Sequence, residues 1–354
     1  MSRYFSERYR ELKPYVPGEQ PRDKKYIKLN TNESPFPPSP KAQKYAAEAA
    51  KNLQLYSDPD CTAITEAAAK LYRVKPSQVF FGNGSDEVLF LSFLAFCDRK
   101  TPAIFPDITY GFYKVYAEFL EVPAVQIPLD EEFEIPIEKF FCANGTIFIA
   151  NPNAPTGKLL HLMQIAQILE RNPDHLVVID EAYIDFGGES AVQLIDRYDN
   201  LLVIQTFSKS RSLAGSRLGM AFGNEALIAD LRTAKFSVNP YNVNSMTMAA
   251  GLGALEDQAY TLENCRKIMD NRAYTTQCLR EAGFYVLDSM TNFVLAGHPE
   301  IPGADLYMQL KQRGILVRYF DSVRLRPYVR ITIGTKKQME TLLEAVKEIL
   351  EEKK

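Results

Sequence analysis

The run 207–219 reads Phe-Ser-Lys-Ser-Arg-Ser-Leu-Ala-Gly-Ser-Arg-Leu-Gly. It sets Lys209 among hydroxyls just after an apolar, β-rich stretch, with Arg217 eight residues further on. A lone lysine is usually a solvated surface residue. At the end of a buried strand it can instead form an imine, while Ser208 and Arg217 hold a phosphate. The apolar stretch 176–180 ends in Asp180-Glu181-Ala182-Tyr183. A carboxylate there is costly unless a cation pairs with it. A protonated pyridine nitrogen is one such cation, and a helix cap is the plainer role. Asn83-Gly84-Ser85-Asp86 joins a short strand to a helix. Free backbone N–H groups at a helix start attract anions, although a capped tight turn uses the same residues. Tyr110, after 103–105, can stack on a planar heterocycle or simply half-bury at a helix start. The run Asn151-Pro152-Asn153-Ala154-Pro155-Thr156-Gly157 predicts a fixed turn.

All these residues follow short apolar runs, at 79–82, 103–105, 124–127, 146–150, 176–180, 201–206 and 218–223. Helical patterns such as 86–97 and 162–171 lie between most of them. Near-continuous apolar strands separated by helices predict an α/β domain with a mostly parallel seven-stranded sheet, covered on both faces. Ligands of such sheets bind beyond the carboxyl ends of the strands. From about Asn224 the pattern turns to long helices, then strands near 293–295 and 329–333 and a closing helix at 336–352. We therefore expect an N-terminal arm over 1–30, rich in Pro14, Pro17 and Pro21, that packs with the small domain. A large domain should span 31–235, and a helical linker with a smaller α+β domain 236–354.

Composition narrows the function. The chain has 354 residues with a net charge of -3, which argues against nucleic acid or an acidic membrane as the main partner. The longest apolar run, 88–97, is too short to span a bilayer, and the N-terminus lacks an apolar signal core. The cysteines, Cys61, Cys97, Cys142, Cys265 and Cys278, form no CxxC pair, so no metal site is expected. Their odd number fits a reducing cytoplasm. No GxGxxG follows a strand, because Gly82 and Gly84 are followed by Glu87, which disfavours a dinucleotide dehydrogenase. A regulator built on a cofactor-binding domain would need a DNA-binding module, and the arm is too short and proline-rich for one.

The segments LNTNESPFPPSP, LYSDPDC, FFGNGSDE, PNAPTG, VVIDEAYIDF, TFSKSRSLAGSRLG and VRITIGT, in this order, resemble the fold-type-I aminotransferases. Within that family the likeness is to the histidinol-phosphate branch, and it runs from roughly Lys13 to the C-terminus. The resemblance implies pyridoxal 5'-phosphate as cofactor and an amino donor and a phosphorylated keto acceptor as substrates, in histidine biosynthesis. Lys209 is then the imine-forming residue and proton carrier, Asp180 the partner of the pyridine nitrogen, and Tyr183 the donor to the phenolic oxygen. Tyr110 stacks on the ring. Ser85, Asp86, Thr206, Ser208 and Arg217 surround the phosphate. Tyr56 matches a tyrosine that reaches it from a partner subunit, which implies a homodimer. Arg330 matches the residue that binds the substrate carboxylate, and Arg318 and Tyr15 match those at its phosphate end. Arg324 and Arg326 are read as a solvated basic face. One departure stands out: the family carries asparagine before Pro-Thr-Gly, and this chain has Ala154. Either Asn153 substitutes or Tyr183 acts alone. Aromatic or broad-specificity aminotransferases and threonine-phosphate decarboxylases share the fold and are the alternatives.

Overall fold

The computed structural model describes residues 2–12, 15 and 18–352. Lys13, where the family likeness begins, and Pro14 and Pro17 of the expected arm lie outside the described residues.

Seven strands form one sheet, in the order Val79–Gly82, Gly219–Gly223, Leu201–Thr206, Val177–Asp180, Thr146–Ala150, Ala103–Pro106 and Ala124–Ile127. Six strands share one direction, and Gly219–Gly223 runs antiparallel to both its neighbours. The central strands are buried along their whole length. Their Val, Ile and Leu side chains pack against helices on either face, which is why they show no polar alternation. Helices Ser85–Phe96, Phe112–Leu120 and Leu162–Glu170 return the chain between successive parallel strands. The mostly parallel sheet expected from the sequence is the one observed.

Helices Glu225–Val238, Ser245–Leu255 and Gln258–Glu281 lead to a smaller antiparallel sheet. Its order is Arg318–Tyr319, Tyr328–Thr332, Phe293–Gly297 and Tyr285–Val286. Helices Gly303–Gln312 and Lys336–Glu351 accompany it, and Val294, Val329, Ile331, Leu342 and Val346 belong to its separate core. The second helix starts with Thr335 and Gln338 capping each other's backbone. The N-terminal segment touches both units. Ile27–Lys28 pairs in parallel with Ile315–Leu316, and Glu19 meets Lys311 at 2.6 Å. Tyr9 stacks on Phe119, and Arg8 meets Glu121 at 2.8 Å.

One close approach positions the site. A Cβ on Gly219 would lie 2.3 Å from the backbone nitrogen of Ser85. Only glycine lets this strand run against the start of helix Ser85–Phe96, where Gly84 adopts φ +85°. Gly219→Ala therefore forces backbone movement and should lower stability by about 1–3 kcal/mol. Urea unfolding checks this; an unchanged midpoint would mean that the helix start can yield freely.

Candidate active site

The carboxyl ends of the parallel strands and the turns that follow them line a cavity of about 320 Å³. Ser85, Asp86, Tyr110, Asp180, Tyr183, Thr206, Ser208, Lys209 and Arg217 all face it. A larger cavity of about 640 Å³ shares Tyr110, Tyr183 and Lys209 with the first and extends to Tyr15, Arg318 and Arg330. The sequence had scattered these residues over three hundred positions. Tyr56 stands apart: it is 84% exposed, stacks on Tyr241 at 4.6 Å and lines neither cavity.

Asp180 ends its strand 4% exposed. Its carboxylate accepts the Tyr113 hydroxyl at 2.9 Å and the Ala182 N–H at 3.2 Å. Among the described residues no salt bridge neutralises it, and burial pushes its pKa up to about 6 despite those bonds. Next to it, Glu181 is also buried and raised to about 7 by burial, although Ser190, Ala191 and Gln205 all donate to it. Across the cavity, Arg217 pairs with Asp86 at 2.6 Å, and Asp86 also accepts the Tyr110 hydroxyl at 2.6 Å. The Thr206 hydroxyl accepts the Ser208 N–H at 3.1 Å, which shapes the turn before Lys209. The Lys209 amine lies 3.4 Å from the Thr31 carbonyl and 5.8 Å from the centre of the Tyr183 ring.

Arg318 and Arg330 sit opposite each other on antiparallel strands, so they project from the same face of the small sheet. The Arg330 guanidinium lies 5.2 Å from the Phe293 ring and 5.4 Å from the Phe320 ring, and donates to the Asn30 carbonyl at 3.1 Å. Its Nε is buried without a partner, and burial lowers its pKa. A desolvated arginine with a spare donor is prepared for an anion. Tyr15 stacks on Phe112 at 4.2 Å at the wall of the same cavity.

One expectation needs correction, and one of the two alternatives left open at Ala154 loses its basis. Arg324 is not on a solvated face: it lines the larger cavity, donates to the Leu129 and Asp130 carbonyls, and lies 4.7 Å from the Phe133 ring. Arg326 is exposed and pairs with Asp321. Asn153 does not replace the asparagine missing at Ala154. It is fully buried, donates to the Ile108 carbonyl and Thr156, and accepts from Thr109, while Ala154 itself faces both cavities. Its amide is spent on holding the turn. Sequence reasoning also missed Tyr113 and Asn32, which bond Asp180 and Tyr183 from distant segments. Asn32 lies within the LNTNESPFPPSP segment, which gives no sign of its partner, and no motif announces Tyr113.

This donor set fits pyridoxal phosphate. The buried, unneutralised Asp180 suits a pyridinium, and the cavity places an amine, a phenol and a helix start around it. Residues 24–346 match the model of the aminotransferase class I and II family. The chain belongs to this family, and it is a pyridoxal-phosphate-dependent transferase. It is 48% identical over 352 residues to a histidinol-phosphate aminotransferase of Brachyspira hyodysenteriae, covering 99% of both chains. The structure resembles a histidinol-phosphate aminotransferase from Clostridium acetobutylicum, with TM-score 0.85 and 26% identity over 92% of this chain and 99% of that one. A Sinorhizobium meliloti enzyme of the same name, in complex with pyridoxal-5'-phosphate, shares the fold at TM-score 0.84 and 22% identity, with 93% and 92% covered. No described helix is long and apolar enough to cross a membrane.

The Asp180 carboxyl holds its proton more tightly folded than unfolded, so without cofactor its cost to stability grows as pH rises from 3.8 to about 6 and is complete above that. Asp180→Asn removes this cost. Relative to the parent, the cofactor-free variant should gain up to about 3 kcal/mol between about pH 4 and pH 8. Added pyridoxal phosphate should reverse the order, because only the parent has an anion for the ring nitrogen. Denaturation curves across pH with and without cofactor check both parts; a stability difference that ignores pH would sink the argument.

Proposed function

We propose that this enzyme transfers an amino group between histidinol phosphate and 2-oxoglutarate, interconverting them with imidazole-acetol phosphate and glutamate in histidine biosynthesis. We propose further that it works as a cytoplasmic homodimer. The observation that carries the reading is the cavity beyond Lys209, where Tyr15, Arg318 and Arg330 offer donors to an anionic substrate. Relatives that match the whole chain at about 48% identity carry the same substrate in their names.

Bound pyridoxal phosphate supplies an electron sink that acidifies the substrate Cα–H bond. Ser85 and Asp86, through their backbone N–H groups, hold its phosphate together with Ser208 and Arg217, and Thr206 shapes that turn. Asp180 keeps the ring nitrogen protonated. Tyr183 would donate to the cofactor's phenolic oxygen, and Tyr110 would stack on its ring. Lys209 would carry the covalent link, and its amine is the group placed to take the Cα proton as a general base and to return it as the acid. Arg330 binds the carboxylate of glutamate. Arg318 and Tyr15 receive the phosphate of the other substrate, so one pocket serves two anions.

A charge-assisted bond contributes about 1.5–3 kcal/mol, and an unpaired arginine adds a desolvation cost. Histidinol without its phosphate should therefore show a specificity constant lower by roughly two orders of magnitude or more. Arg318→Ala should remove much of that difference and slow the glutamate half-reaction less than Arg330→Ala does. Single-turnover rates for both amines and for glutamate test this. Equal rates for histidinol and its phosphate would favour a broad-specificity aminotransferase and leave the cofactor assignment intact.

Tyr56, exposed and remote from its own cavity, is expected to reach the cofactor phosphate of a partner subunit. Mixing inactive Tyr56→Phe and Lys209→Ala subunits then yields dimers with one site free of both changes. Activity should partly return on mixing. No recovery despite proven subunit exchange, with Tyr56→Phe clearly impaired alone, would rule out action in trans.

A further inference from the structure

Asn32 is 2% exposed and sits in the left-handed region at φ 54°. Every polar group on it that the structure resolves is engaged. Its backbone N–H donates to the Thr332 hydroxyl at 3.0 Å, and its carbonyl accepts from Asn292 at 2.9 Å. The Thr332 hydroxyl, having accepted that N–H, gives its single proton to Asn32 Oδ1 at 3.0 Å. That bond sets the orientation of the amide, with oxygen toward Thr332 and nitrogen toward Tyr183. Asn32 Nδ2 then donates to the Tyr183 hydroxyl at 2.9 Å.

The consequence is a matter of proton accounting. A phenol has one proton. With Asn32 fixed as a donor, Tyr183 cannot donate to it, so the phenolic proton points elsewhere. Tyr183 and Ala154 both line the two cavities, and the alanine side chain has no donor to offer. Asn153 is spent on its turn. We propose that Asn32 is a positioning residue that commits the Tyr183 proton to the phenolic oxygen of the cofactor, and so serves, one bond removed, in place of the asparagine that Ala154 replaces. This rests on the role given to Tyr183 above.

The test reads the pH midpoint of the visible absorbance change of pyridoxal phosphate bound to the holoenzyme. Among the described residues, Lys209, Arg330 and Tyr113 act on Tyr183 and Asp180 shares its cavity, and all are kept in every variant. A donor withdrawn from the phenolic oxygen leaves that oxygen more basic, so the proton on the adjoining Lys209 linkage persists to higher pH. Tyr183→Phe should raise the midpoint by about one pH unit. Asn32→Gly, which tolerates the positive φ, should raise it similarly, and the double variant should add nothing to Tyr183→Phe alone. Asn32→Asp keeps the backbone conformation but accepts the phenolic proton, and should raise the midpoint as well.

An unchanged midpoint in Asn32→Gly, beside a shifted Tyr183→Phe, would overturn the proposal while sparing the role of Tyr183. Full additivity in the double variant would also overturn it, because Asn32 would then act independently. No shift in Tyr183→Phe removes the underlying reading, and the proposal with it. Should Asn32→Gly fail to fold, Thr332→Val releases the amide lock and is expected to raise the midpoint in the same direction; no change there would count against the proposal.

Discussion

A carboxylate buried at the end of a parallel strand is the constraint around which this molecule is arranged. Asp180 is almost wholly buried and beyond any salt bridge among the described residues, with two hydrogen bonds that offset only part of the cost of its charge. A charge in such surroundings is stable only when a cation is delivered to it. The sheet sets where delivery happens. Parallel strands bring Val177–Asp180 beside Thr146–Ala150 on one flank and Leu201–Thr206 on the other. The turn with Ala154 and the lysine of the next loop therefore flank the carboxylate without any special folding.

The anion-binding half of the site follows the same economy. Glycines at 84 and 219 let a helix start and a strand end approach to near contact, so Ser85 and Asp86 face the cavity. Arg217 is already nearby, paired with Asp86. A phosphate bound there as proposed would meet that arginine without waiting for a distant loop, because Asp86 holds the guanidinium at hand. On the far side, the Arg330 guanidinium lies near the Phe293 and Phe320 rings, and its buried Nε has no partner among the described residues. The two anion sites thus differ in kind: one is built on a helix start with a pre-paired arginine, the other on rings and desolvation.

How legible this was depends on the distance over which each contact runs. The strands of the large sheet were readable because parallel strands buried on both faces have a continuous apolar pattern. The placement of Lys209, Asp180 and Arg217 was readable because Asp180 closes a strand, Lys209 follows one by three residues and Arg217 precedes the next by two, where the sheet architecture fixes their places. Asn153 was a reasonable substitute on sequence grounds, since it adjoins Ala154. Only the folded turn reveals that its amide is consumed by Ile108, Thr109 and Thr156. Arg324 was misjudged for a similar reason, as its acceptors are backbone carbonyls at 129 and 130 that leave no signature in side-chain types. Tyr113 and Asn32 act across 67 and 151 residues. Neither the period of an element nor a local motif encodes such a meeting.

The link between Asn32 and Thr332 carries a consequence for how the two halves of the site communicate. Strand Tyr328–Thr332 places Arg330 and Thr332 two residues apart, and so on one face. Both bond the segment that follows Ile27–Lys28: Arg330 to the Asn30 carbonyl, Thr332 to the Asn32 amide. The Thr332 N–H adds a third bond, to the Leu29 carbonyl. The strand that carries Arg330 is therefore the strand that orients the Asn32 amide bonded to Tyr183. A rigid strand cannot move its arginine toward an anion without carrying Thr332 along. If the small sheet binds an anion as proposed, a shift of that sheet would reach the Tyr183 hydroxyl through Asn32. A donor fixed on the turn before Pro155 would have been tied to the large sheet alone. With Ala154 there, the side-chain amide that does bond Tyr183 is oriented by the strand that carries Arg330.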